Sequence, residues 1–130
     1  MASYRTPLGR VRGLGAAKQG VNHFITQRVT GAALIVLILW AIRVALVLSH
    51  YDFASTTTWL HSPWNAIPAA LLIGTAFLHT NLGMRTIIED YISDPAGKIA
   101  FLLLSLFVCW VGGAVGVFSI LKVAFGAGAY

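Results

Sequence analysis

Three runs of apolar residues decide what this chain can become. They cover residues 29–49, 64–84 and 99–121; Arg43 interrupts the first, His79 the second, and the third carries no charge. Each meets the roughly 20 residues that carry a helix through the ~30 Å hydrocarbon layer of a bilayer. A helix satisfies its own backbone donors and acceptors there, and no strand-like alternation points to a barrel. The expected fold is therefore an all-α membrane protein with three transmembrane helices, over about 29–49, 64–91 and 98–121. With 130 residues, 58% hydrophobic and 10% charged, the chain is too short for two domains and too apolar for a water-soluble core of ordinary composition. A single membrane domain over 1–130 is expected.

The net charge of +5 does not point to nucleic acid, because the basic residues sit at membrane edges rather than over a soluble face. Arg5, Arg10, Arg12, Lys18 and Arg28 precede the first helix, and Arg85 and Lys98 bracket the second connection. The first connection, residues 50–63, carries no Lys or Arg, and Lys122 is the one dissenting charge. The positive-inside rule then puts the N-terminus and the second connection in the cytoplasm, and the first connection and the C-terminus in the periplasm.

Residues 1–21, with Gly9, Gly13, Gly15 and Gly20, read as an irregular cytoplasmic arm. The first apolar run starts too late and runs too long for a secretory signal, so no cleaved presequence is expected. Residues 22–27 read as an interfacial lead-in with Phe24 as anchor, and Tyr51, Trp59 and Trp64 as the aromatic belt of the outer connection. Pro63 and Pro68 fall where a second helix begins, and Asp94-Pro95-Ala96-Gly97 reads as a compact turn before the third. Gly112 and Gly116 have the GxxxG spacing that admits a closely packed helix, while Cys109, alone in its segment, reads as a small apolar filler.

The residues able to carry chemistry gather between positions 79 and 91. An imidazole at membrane depth faces a helix partner, a cavity or a cofactor. Gly83 lies one turn beyond His79, about 40° around the helix, and clears bulk from the same face, as a flat macrocycle bound through imidazole would need. Asp90 is eleven residues beyond His79, roughly 20° away in projection and about 16 Å along the axis. Tyr91 follows it, and a phenol donor beside a carboxylate at the membrane edge suits a quinone carbonyl that must be held and then protonated. The plainer alternatives are a helix-to-helix hydrogen bond for His79 and a solvated helix end for Glu89, Asp90 and Tyr91. Arg28 and Arg43 have the snorkelling of interfacial arginines as their ordinary explanation. His50 and His61 belong to the outer connection and are given no catalytic part.

The pattern from His79 to Tyr91, with Gly83-Met84 and Asp90-Tyr91 at their spacing and Arg28-Val29-Thr30 before the first helix, closely resembles the small cytochrome b-type membrane anchors of succinate dehydrogenase, respiratory complex II. The resemblance covers about residues 20–122. It implies that His79 is one axial ligand of haem b, with the second histidine supplied by a sister cytochrome b-type anchor. It implies that Arg28 lies near the haem propionates, with Gly83 assigned to the same site by its clearance on the His79 face, and that Tyr91 with Asp90 beside it holds ubiquinone. It also implies flavoprotein and iron-sulfur subunits docked on the cytoplasmic side of a bacterial inner membrane, in preference to a mitochondrial one, with succinate oxidised there and not in this chain. Some members carry His-Asp-Phe before the arginine where this chain has Asn22-His23-Phe24, so no role carries over to His23. The rival readings are a fumarate reductase anchor, a small transporter with His79 and Arg43 along a polar path, and a purely structural membrane adaptor.

Overall fold

The computed structural model describes residues 6–11 and 20–126. Within them the chain forms five helices: α1 (Pro7–Val11), α2 (Gly20–Leu48), α3 (Phe53–Leu60), α4 (Pro63–Tyr91) and α5 (Pro95–Phe125). Three of these, α2, α4 and α5, are long and apolar enough to cross a membrane. The all-α, three-span expectation therefore holds. Of the basic residues read as orienting the chain, Arg5, Arg12 and Lys18 lie outside the described residues.

Several boundaries differ from those expected of the sequence. The first spanning helix begins at Gly20, not near residue 29, so the lead-in is continuous with the span. Hydropathy falls at Asn22, His23, Gln27 and Arg28, but those side chains are compatible with a helix whose end projects into water or headgroups. The arm contains the short helix α1. Residues 95–97 are the first turn of α5 rather than a separate turn, with Asp94 as N-cap accepting from the Gly97 N–H at 2.6 Å and Pro95 in the first turn. The outer connection holds a helix that hydropathy does not announce: Asp52 caps α3 by accepting from the Ser55 N–H at 2.9 Å.

α4 is the central helix, packed extensively on α5 and less so on α2. Its partner α5 runs antiparallel, as the residue pairings show: Phe77 lies against Gly112 and Gly113, and Ile73 against Gly116. A Cβ at Gly112 would stand 2.6 Å from the Phe77 ring, and one at Gly116 would stand 2.6 Å from Ile73 Cγ2. The GxxxG spacing is thus consumed within the chain, letting α4 and α5 approach. At the α4–α5 junction the Lys98 ammonium donates to the Glu89 carbonyl at 2.9 Å, satisfying one of the open acceptors at the C-terminal end of α4. At the other end the Trp40 and Trp59 rings stack with centroids 6.3 Å apart, tying α3 to α2. The Asn65 amide donates to the Trp59 carbonyl at 2.8 Å and fixes the α3–α4 corner.

Very little of the chain is interior. Among the described residues only Ala66, Ile88 and Cys109 are buried, while Ile35, Val36, Leu39, Phe107, Trp110 and Phe118 point outward. In water such an exterior would be an enormous exposed apolar surface; in a bilayer it is the surface that lipid or another apolar helix covers.

Candidate functional site

His79 lies in the middle of α4, and the structure turns its ring toward α2. Nδ1 is 3.0 Å from the Thr30 hydroxyl oxygen. Gly31 lets the ring come close: a Cβ there would stand 3.3 Å from His79 Cε1. The other ring nitrogen, Nε2, makes no hydrogen bond among the described residues and is not sealed from its surroundings. One nitrogen is thus held by α2 and the other remains open.

Gly83, one turn further on, borders empty space, since a Cβ built there meets no atom within 4 Å. At the end of the same unbroken helix stand Asp90 and Tyr91, both exposed, with the Tyr91 side chain among the most exposed on the molecule at 84%. Neither makes a side-chain hydrogen bond or ion pair among the described residues. Glu89, by contrast, is engaged by the Arg85 guanidinium at 2.7 Å, so Asp90 is the carboxylate of this helix end with its acceptors free.

The structure does not bring Arg28 to His79. Two residues before Thr30 on α2, it stands about 160° around the helix from it, and its guanidinium lies 5.1 Å from the centroid of the Phe24 ring. His23 has its Nε2 enclosed without a partner among the described residues, Arg43 is exposed, and His61 Nδ1 lies 3.2 Å from the Ala124 carbonyl. Cys109 is buried and unpaired. It lines an apolar groove of about 620 Å³, together with Phe77, Trp110 and Phe118. Neither His79 nor Tyr91 lines that groove: His79 is half-buried against α2, whereas Asp90 and Tyr91 are exposed.

Two residues at this site carry no expectation from the sequence: Thr30, notable there only as part of the Arg28-Val29-Thr30 run, and Gly31. A hydroxyl and a glycine side by side in an otherwise aliphatic stretch are the available signal. The fold supplies what the signal lacks, a partner 49 positions away.

A bundle of three membrane-length helices with almost no interior, one mid-helix imidazole and unpaired polar groups at one helix end defines an integral membrane subunit built to be completed by others. The family model for the succinate dehydrogenase/fumarate reductase transmembrane subunit matches residues 2–115. The chain belongs to this family. It is 33% identical over 90 residues to the succinate dehydrogenase hydrophobic membrane anchor subunit of Rickettsia bellii, covering 69% of this chain and 72% of the relative. The counterpart from Rickettsia conorii is 33% identical over 91 residues, with 69% and 72% covered. That of Paracoccus denitrificans is 29% identical over 125 residues, with 95% of each chain covered. No solved structure matches.

Proposed function

We propose that this chain is a membrane anchor of a succinate:ubiquinone oxidoreductase of a bacterial inner membrane, sharing haem b and a quinone site with a second cytochrome b-type anchor. The observation that carries the reading is His79, held through Nδ1 at mid-membrane depth with Nε2 open and space at Gly83 beside it. His79, through its unbonded Nε2, would hold the haem iron together with a histidine of a second anchor. Haem b, when bound, supplies a one-electron relay inside the bilayer.

The remaining chemistry belongs to Tyr91 and Asp90. The Tyr91 hydroxyl donates to a quinone carbonyl oxygen, an interaction that strengthens as negative charge develops on that oxygen. Asp90, with no cation of its own among the described residues, is placed to accept or pass a proton at the same edge. A carbonyl oxygen held at the aqueous boundary obtains its protons from the cytoplasmic side, while the hydrocarbon chain of the quinone stays in lipid. Arg28 is available to an anionic group at headgroup level, a haem propionate or a lipid phosphate. The N-terminus and the α4–α5 junction face the cytoplasm under the positive-inside rule, which puts flavoprotein and iron-sulfur subunits on the side of Tyr91. Succinate is oxidised on those subunits. The relatives' shared succinate dehydrogenase name supports this direction over fumarate reduction.

The test is purification of the assembled complex from native membranes with its optical spectrum. A low-spin haem that co-purifies with flavoprotein, iron-sulfur and second anchor chains is expected, and His79→Ala should abolish the six-coordinate signature. A spectrum unchanged by His79→Ala would remove His79 from the haem.

A further inference from the structure

The Thr30 hydroxyl stands at a three-way contact. Its oxygen is 2.8 Å from the Thr26 carbonyl oxygen, 3.1 Å from the Gln27 carbonyl oxygen and 3.0 Å from His79 Nδ1. A hydroxyl has one proton to give and two lone pairs to receive with, whereas a carbonyl oxygen only accepts. Were the proton directed at Nδ1, two carbonyl oxygens would face the lone pairs of Oγ1 at hydrogen-bond distance with nothing between them. With the proton on the Thr26 carbonyl, the bond is the ordinary back-bond of a helical threonine, and a lone pair is left facing the imidazole. Nδ1 must then carry a hydrogen and donate it to Thr30, and the lone pair of the neutral ring is left on Nε2.

We propose that Thr30 is the positioning residue for His79: it selects the tautomer in which Nε2 is the basic nitrogen, and with Gly31 it sets the plane of the ring. The inference rests on the reading of His79 as a haem ligand. Its physical basis is general, because a metal-bound imidazole whose second N–H is held by an acceptor is both oriented and made more basic. The packing supports the division of labour. Thr30 fixes the ring by a hydrogen bond, and Gly31 removes the side chain that would push the ring away, since a Cβ at 3.3 Å from Cε1 would force it to shift by a few tenths of an ångström. α2 therefore contributes to the haem site without touching the iron.

The experiment compares Thr30→Val, Thr30→Ser and His79→Ala in the assembled complex, reading haem content, the low-spin electron paramagnetic resonance spectrum and the haem midpoint potential. Thr30→Val keeps the shape and removes the acceptor. Haem affinity should fall about tenfold or more, the range for loss of a group that orients a metal ligand. The potential should rise, because a less basic imidazole stabilises the oxidised iron less. Thr30→Ser keeps the oxygen and should restore both. Haem content, spectrum and potential unchanged in Thr30→Val, while His79→Ala loses the haem, would overturn the role of Thr30 and leave the haem reading intact. An unchanged spectrum in His79→Ala would bring down both. Should Thr30→Val fail to assemble, the wild-type reduced complex with ¹⁵N-histidine decides: slow hydrogen exchange at His79 Nδ1 supports the bond, and fast exchange overturns it.

Discussion

Phe77 of α4 lies across Gly112 of α5 so closely that a methyl group added at Gly112 would sit 2.6 Å from the ring. Gly116 meets Ile73 in the same way one turn further along. Gly112→Ala and Gly116→Ala should each destabilise the α4–α5 pair by roughly 1–3 kcal/mol, the range for overpacking a close contact. Thermal unfolding of the purified complex measures this, and wild-type stability in both variants would show that the two helices do not depend on this approach.

Gly83 is the opposite case, since a Cβ there meets nothing. Gly83→Ala should leave the chain's own packing intact and even favour α4 by about 0.5–1 kcal/mol through helix propensity. If the space beside His79 receives the haem edge, the same variant should lower haem per complex. Stability retained with haem reduced is the expected pair of results; haem content equal to wild type would place the macrocycle elsewhere.

The orientation prediction uses α3. Ser55 is exposed on this helix, and the native Cys109 is buried and contributes little background labelling. In a complex oriented by the positive-inside rule, Ser55→Cys should react with an impermeant maleimide added outside spheroplasts. Protection until the membrane is opened would invert the topology, moving Tyr91 to the periplasmic face.

Asp52 offers a pH test outside the membrane. Hydrogen bonds from Ser55, its side chain first and its backbone N–H second, hold the Asp52 carboxyl below its ordinary value of 3.8. A depressed native value means that the cap's contribution is complete above the unfolded value and is lost as pH falls through the lower native one. The protection of amides at the start of α3, taken relative to their intrinsic exchange rates, should therefore be constant at neutral pH and fall only in acid below the ordinary carboxylate range. Asp52→Asn, which keeps a cap without a titratable group, should remove that acid-induced loss of protection.

What the sequence discloses and what it withholds follow one physical division. Hydropathy reports depth in the membrane, so the three spans are legible, whereas the nine residues that extend α2 back from Val29 to Gly20 are not, because Asn22, His23 and Arg28 are polar yet helical. α3 is hidden for a different reason: Thr56, Thr57 and Thr58 are poor helix formers, and the capping Asp52 is the signal that outweighs them. The spacing of Gly112 and Gly116 announces a close helix neighbour but not which one, since identity depends on the facing Phe77 and Ile73. His79, Asp90 and Tyr91 can be put on one helix by counting. The Thr30 contact cannot, because it joins residues 49 apart through a packing that no local pattern encodes.

Tyr91 gives the sharpest functional test, because its hydroxyl has no hydrogen-bond partner within the described chain and is open to one from outside. Tyr91→Phe removes only that donor. Loss of a hydrogen bond to a quinone carbonyl costs on the order of 1 kcal/mol in binding, and more where the charge built up during reduction relies on it. The assembled variant should therefore reduce quinone at least several-fold more slowly with succinate as donor. Electron transfer from succinate to a water-soluble dye, which takes electrons at the peripheral subunits, should be nearly unchanged. Asp90→Asn, which keeps the shape but not the basicity, should slow quinone reduction without releasing the peripheral subunits. Equal loss of dye and quinone activities in Tyr91→Phe would indicate failed assembly, and quinone reduction at the wild-type rate would take Tyr91 out of the site.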